Sequence, residues 1–167
     1  MKKLFTLALV ILGFSATSFG QTNTATATTT ATITTPLTIS KTMDMNFGTV
    51  TASGVAGVVK LDYNDGRSVT GGVTTIAGSA AQKTAVFTVS GTDNSTFSIT
   101  IPVAPIIMTG TSLGMTVSNF LCDASSPSAL VAGTKVIKVK ADLNVPASAT
   151  AGTYTNASGL SVTVNYN

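Results

Sequence analysis

The stretch AVFTVSGTDNSTFSITIP, residues 85–102, decides the fold class. On both sides of the polar break at residues 91–94, apolar residues alternate with other residues, mostly Thr and Ser. Side chains of a β-strand alternate between its two faces, so the stretch predicts two adjacent strands joined by a turn, with Pro102 ending the second. The residues expected to face inward are Ala85, Phe87, Val89, Phe97, Ile99 and Ile101.

The same alternation extends outward from this pair in both directions. Further strand-like runs occupy residues 37–47, 58–63, 115–120, 136–145 and 160–166. No run after residue 20 keeps apolar residues at helical spacing for three turns, and the frequent Thr, Val and Ile favour pleated strands. Strands at this spacing, separated by Gly, Asn and Pro, predict an all-β antiparallel β-sandwich.

Three shorter stretches qualify this prediction. Residues 64–66, Asn-Asp-Gly, predict a hairpin turn because Asp-Gly supplies the positive φ angles of a tight turn; a calcium loop is the alternative. Residues 102–114 are either an exposed apolar rim or a short buried strand. Tyr154 is either a corner tyrosine, whose hydroxyl bonds to backbone, or a plain core residue.

Residues 1–20 have the three parts of a secretory signal peptide. Lys2 and Lys3 form a basic start, residues 4–14 are mostly apolar, and residues 15–20 are mostly small and polar. The apolar run is shorter than the roughly 20 residues of a membrane-spanning helix, and no later run reaches that length. We therefore expect export to the periplasm, the cell surface or the medium, with a mature chain that starts at Gln21 and lacks a transmembrane segment.

The composition of the 167-residue chain argues against catalysis and against nucleic acid as a partner. Charged residues make up 9%, His is absent, and all six acidic residues are Asp, so most general acid–base, nucleophilic and metal sites cannot be built. We expect no enzyme activity and no cofactor. Without Lys2 and Lys3 the mature chain has seven bases against six acids, and the bases are scattered, apart from Lys135, Lys138 and Lys140.

The single cysteine, Cys122, has no disulfide partner within the chain. It is either a small buried apolar side chain or an intermolecular thiol. The domain therefore depends on its core and on its sheet hydrogen bonds alone.

Residues 21–35, QTNTATATTTATITT, form a Thr/Ala-rich N-terminal arm ahead of a sandwich domain at residues 36–167. Low complexity favours a disordered leader. The regular alternation favours a donor strand, which would complete an open sheet edge on a neighbouring subunit. The residues of the donor face are Ala25, Ala27, Thr29, Ala31 and Ile33.

Residues 31–50, ATITTPLTISKTMDMNFGTV, together with AGTYTNASGLSVTVNYN at residues 151–167, carry a family resemblance. With DGRSVTGGV, AVFTVSG and FSITIP between them, these segments resemble domain-of-unknown-function family 4402, a family of exported bacterial proteins. The C-terminal tail is more distantly similar to chaperone–usher pilin and spore-coat-protein-U subunits. The fold implied by both resemblances is an Ig-like, pilin-like sandwich with an extended N-terminal arm.

The pilin resemblance implies a role for the last strand. It places four alternating residues beside an open groove, where a periplasmic chaperone and then the arm of the next subunit would pair; these are Leu160, Val162, Val164 and Tyr166. Two departures from the pilin pattern are the missing disulfide and an arm that is mostly Ala. The alternative is a closing strand of a self-complete sandwich.

We expect a structural subunit of a cell-surface or fimbria-like assembly, polymerised by strand exchange with identical or related subunits. The alternative is a monomeric exported adhesin or ligand-binding module.

Overall fold

The computed structural model describes residues 20–76, 82–111, 114–157 and 159–167. The predicted signal peptide lies almost wholly outside these residues. Within them there are strands and no helix, so none could cross a membrane as a helix. The strands are β1 (Thr38–Met43), β2 (Val50–Leu61), β3 (Arg67–Thr75), β4 (Ala85–Ser90), β5 (Thr96–Thr100), β6 (Ile106–Ile107), β7 (Thr116–Cys122), β8 (Ser128–Ala129), β9 (Thr134–Val145) and β10 (Thr163–Tyr166).

The strands form an antiparallel β-sandwich, as the alternation predicts. The larger sheet has the order β1-β4-β9-β2-β3, with β7 also paired to β9 and β6 paired to β7. The smaller sheet has the order β10-β5-β8. Strand β9 is the centre of the fold, because its first half pairs with β4, its last residues pair with β2, and β7 pairs along residues 139–144.

The core lies between the sheets. Phe97 of the smaller sheet and Val89 and Ile137 of the larger one are fully buried, and burial of each such side chain contributes about 1.5–3 kcal/mol. The inward face predicted for residues 85–89 is confirmed, since Ala85 and Phe87 are also buried. Ile99 and Ile101 are only half-buried, at the margin of the core.

The predicted hairpin at residues 64–66 is confirmed, and it joins β2 to β3. Asp65 adopts φ 62°, and the Asp62 carboxylate accepts hydrogen bonds from the backbone N–H of Asn64 and Gly66 at 2.7 and 2.8 Å. The Asp65 carboxylate accepts from the N–H of Thr84 at 2.9 Å and from Lys83 Nζ at 2.9 Å. These donors, the Thr84 N–H foremost, lower the pKa of Asp65 to about 2. The Asp62 carboxylate thus stabilises the turn itself, and the Asp65 carboxylate holds the turn against the residues that precede β4.

One local expectation needs correction, and one open alternative is decided. The tail is a strand only from Thr163, so Leu160 and Val162 precede β10 rather than belong to it. In the described part of this stretch, residues 102–111, the two-residue β6 has Ile106 half-buried and Ile107 67% exposed. That segment is therefore closer to an exposed rim than to a buried strand.

The chain divides into two units after Ile33. All of the strands lie in the second unit, Thr34–Asn167. Within the first unit, residues 20–33 have no strand assignment and every one of them is exposed.

Candidate functional site

Strands β1 and β10 each have a free edge in the described part of the chain, because their ladder partners there are β4 and β5 alone. The Asn167 N–H donates to Thr96 O at 3.2 Å, which fixes the alternation of the β10 ladder. Asn165 and Thr163 therefore direct their backbone groups toward β5. Val164 and Tyr166 direct theirs to the free edge, where another strand could pair.

The free edges of β1 and β10 meet at the Tyr166 side chain. Its hydroxyl donates to Thr35 O at 2.9 Å and accepts from the Thr92 N–H at 2.7 Å, while the Thr35 N–H donates to Thr92 Oγ1 at 3.0 Å. A Cβ at position 91 would lie 2.2 Å from the Tyr166 hydroxyl, so Gly91 is required for the hydroxyl to reach this position. We call this arrangement the Tyr166 clamp.

A cavity of about 1100 Å³ is lined by Lys41 of β1 and by Leu160, just ahead of β10. Among the described residues, the lining contains no residue of β10 itself. We call the gap between the β1 edge and residues 160–166, together with this cavity, the edge groove. Its apolar floor consists of Phe47, Ile106, Met108, Met115, Val117, Phe120, Leu143 and Val145.

The walls of the edge groove are held by hydrogen bonds. On one side, an Arg67 guanidinium nitrogen donates to Phe47 O at 2.8 Å and to Thr49 O at 3.1 Å. On the other, Thr109 and Thr155 form a two-way backbone bridge, with N···O distances of 2.8 and 2.9 Å. Both walls are therefore fixed without a strand between them.

Tyr154 lies in the second wall. Its hydroxyl donates to Thr150 O at 2.6 Å, and the ring is half-buried. The prediction of a corner tyrosine is confirmed, because the hydroxyl bonds to backbone four residues upstream. The side chain holds residues 150–154 in place along the groove.

The edge groove is almost uncharged. Among the described residues, Lys41 and Asp44 are the only charged ones that line it, and they form an ion pair at its exposed rim. The floor offers apolar contacts and the free edges offer backbone hydrogen bonds. An extended segment with small or apolar side chains on one face satisfies both.

The predicted groove-strand residues are each half-buried and pack against the core; they are Leu160, Val162, Val164 and Tyr166. Leu160 lines the cavity, while Val164 and Tyr166 lie on β10. These four side chains alternate along the chain with exposed ones, so they share one face, as predicted. Whether a partner strand covers this face stays a prediction.

The predicted donor residues all lie at exposed positions without strand structure; they are Ala25, Ala27, Thr29, Ala31 and Ile33. Ile33 is 96% exposed, the bulkiest of the five. Their role as a donor strand stays a prediction.

Sequence reasoning missed most of the groove lining, above all residues 44–52 and 149–157. The available signal was indirect: Met45, Phe47 and Val50 are apolar residues in a stretch that is only partly strand. No local sequence pattern indicates that these two stretches face each other, because their proximity depends on pairing between strands that are far apart in the sequence.

Cys122 is half-buried, and burial raises the pKa of its thiol. A raised pKa keeps the thiol protonated and poorly nucleophilic near neutral pH. Within the described residues, no three His, Cys, Asp or Glu side chains are grouped so that they could hold a metal ion.

Comparison with known proteins gives one match. A family model described as a domain of unknown function, DUF4402, matches residues 37–166. Neither a curated protein nor a solved structure matches the chain. The matched range covers the described sandwich from Leu37 to Tyr166 and starts after the arm.

Proposed function

The chain belongs to the DUF4402 family, and from that premise we propose that it is a non-enzymatic, exported structural subunit of a cell-surface or fimbria-like assembly. The N-terminal arm of one copy occupies the edge groove of the next, so that subunits polymerise by strand exchange. Related surface subunits and a periplasmic chaperone are further partners that the same groove could accept.

The edge groove is the observation that carries this proposal. It combines two free strand edges with an apolar cavity of about 1100 Å³ that reaches core residues such as Phe120 and Leu143. An added strand would pair with the outward backbone groups of Val164 and Tyr166 and would cover the floor. Unpaired strand edges are usually blunted or covered, which favours a dedicated occupant.

The properties of the arm also support the proposal. Its alternating residues are exposed, and they match the requirement for one small or apolar face and one polar face. The arm adjoins the predicted signal peptide, which supports export. Low surface charge also suits packing of identical subunits, since like charges would otherwise meet at every repeat.

A matched pair of arm variants tests strand exchange. Ala27→Asp and Ala31→Asp together place two carboxylates on the face that enters the groove, and burial of an unpaired charge costs several kcal/mol. Thr26→Asp and Thr30→Asp together add the same charge to the opposite face. We expect SDS-resistant ladders or filaments from the wild type and the Thr variant, and monomers from the Ala variant.

Deletion of residues 21–34 is the companion experiment. It should give monomers whose edge groove accepts a synthetic peptide of residues 21–35 added in trans. If the deletion forms ladders as well as the wild type does, the arm is not a donor strand and the proposal fails.

The second candidate is a monomeric exported adhesin or ligand-binding module. The volume of the edge groove favours it, because small-molecule pockets run to roughly 1,000 Å³ and are mostly apolar. This candidate predicts a folded monomer at all concentrations and unchanged binding of an apolar probe after arm deletion. Analytical ultracentrifugation with a fluorescent apolar dye separates the two candidates.

A further inference from the structure

A second cavity, of about 640 Å³, lies on another part of the sandwich. It shares only Phe120 with the lining of the edge groove. We call it the lysine pocket and define it by the six side chains that could meet a ligand: Lys60, Val103, Asn119, Leu121, Lys140 and Asp142.

Cross-strand pairing assembles the lysine pocket. Lys60 of β2 lies opposite Asp142 of β9, and Leu121 of β7 lies opposite Lys140 of β9. Strand β7 has a register shift between Ser118 and Leu121, where Asn119 adopts φ 54°. Bulges of this kind redirect side chains, and Asn119 Nδ2 here donates to Asp142 Oδ2 at 3.0 Å.

The pocket carries a net positive charge, because two lysines line it with one aspartate. The ion pairs among the described residues are Lys41–Asp44 and Lys83–Asp65. The ammonium groups of Lys60 and Lys140 therefore have no carboxylate within 4 Å. Lys140 is partly fixed, because its Nζ lies 4.7 Å from the centre of the Tyr63 ring. Two such cations on neighbouring strands attract an anion.

One wall of the pocket is apolar and faces solvent. Val103 is 97% exposed and Leu121 is 53% exposed. A ligand suited to the pocket therefore has an anionic group at one end and an apolar surface along one side. The Asp142 carboxylate would repel a second carboxylate placed beside it, so the part of the ligand near Asp142 must donate hydrogen bonds instead.

We propose that the lysine pocket binds a uronic-acid unit of an acidic polysaccharide. Its carboxylate lies between Lys60 and Lys140, and its hydroxyls bond to the Asn119–Asp142 pair. Its C–H face packs on Leu121 and Val103. An acidic peptide is the poorer fit, because it offers Asp142 only its backbone N–H groups and has no hydroxyl-bearing ring whose C–H face could pack on Leu121 and Val103. This site does not depend on strand exchange.

Titration of the full exported chain with tetragalacturonate, followed by calorimetry, tests the proposal. We expect the double variant Lys60→Gln, Lys140→Gln to bind at least tenfold more weakly than the wild type. Lys135→Gln removes the same charge from the other end of β9 and should change affinity less than twofold. Leu121→Ser should weaken binding about threefold through the apolar wall alone.

Four results would overturn the proposal. They are no binding at millimolar tetragalacturonate, equal binding of the neutral sugar maltotetraose, tighter binding of tetraglutamate, and an equal loss from Lys135→Gln. The last of these would mean diffuse attraction of an anion to scattered lysines. Circular dichroism of each variant shows whether the sandwich has stayed folded.

Discussion

Strands β9 and β10 are both built on alternating apolar residues, but β9 has ladder partners along both edges and β10 has a partner on one. The inward residues of β9, such as Ile137 and Leu143, are at most 6% exposed. The corresponding residues of β10, Val164 and Tyr166, are only half-buried. Apolar alternation thus specifies which face of a strand turns inward, while the number of neighbouring strands decides how completely that face is covered.

The largest effect that this comparison predicts is at Ile137, in the middle of β9. Ile137→Ala should lower the free energy of unfolding by about 2–5 kcal/mol, because it leaves a cavity in a close-packed core. Val136→Ala, at the adjacent 54% exposed position, should cost at most about 0.5 kcal/mol. Urea denaturation of both variants in the arm-deleted chain measures the difference, and equal costs would contradict the central role of β9.

A smaller effect is expected at the Tyr166 clamp, on the open side of the sandwich. Tyr166→Phe keeps the ring but removes the hydroxyl that bonds to Thr35 and Thr92. The loss should be about 1 kcal/mol, as for a typical hydrogen bond. Amide hydrogen exchange should quicken more at Thr92 than at Ile137, whose buried amide exchanges only through global unfolding. Unchanged exchange at Thr92 would show that the clamp contributes nothing to holding the β1 and β10 edges together.

The smallest effect is expected at Asp65, which holds the β2–β3 hairpin in place on the side of the sandwich whose strands are paired. The effect appears only at acidic pH. The folded-state pKa of Asp65 is about 2, below the ordinary 3.8 of an Asp carboxyl. The stabilisation is therefore present above about pH 4 and is lost as the pH falls toward 2. Asp65→Asn retains a residue that tolerates positive φ and should flatten the fall in melting temperature between pH 4 and pH 2.

Two comparisons decide the outcome for Asp65. Thr84→Val removes only the hydroxyl bond to Asp65 and should flatten the same fall less. If the wild type and Asp65→Asn lose melting temperature equally between pH 4 and pH 2, another carboxylate causes the acid dependence.

The features that sequence predicted best are those set by near neighbours. The inward positions Ala85, Phe87 and Val89 follow from strict alternation, and the turn at Asp65 follows from Asp-Gly chemistry. Both depend on a few consecutive residues whose local preferences agree with the fold.

Features that depend on distant pairing were not predictable in the same way. The strand pattern of Leu160 and Val162 matches that of Val164, yet β5 pairs with residues 163–166 alone. The edge groove likewise arises where β1 and β10 each lack a second neighbouring strand among the described residues, which no local pattern encodes.

The position of β9 in the chain also has a consequence for the order of folding. Its ladder partners β2 and β4 are made long before it, since β9 starts only at Thr134. Sandwiches dominated by such distant pairings fold in milliseconds to seconds. Although β2 can pair with β3 and β1 with β4 beforehand, the edges of β2 and β4 that pair with β9 stay uncovered until residues 134–145 have been synthesised, and a truncation before residue 134 should yield aggregating, protease-sensitive chains rather than a smaller domain.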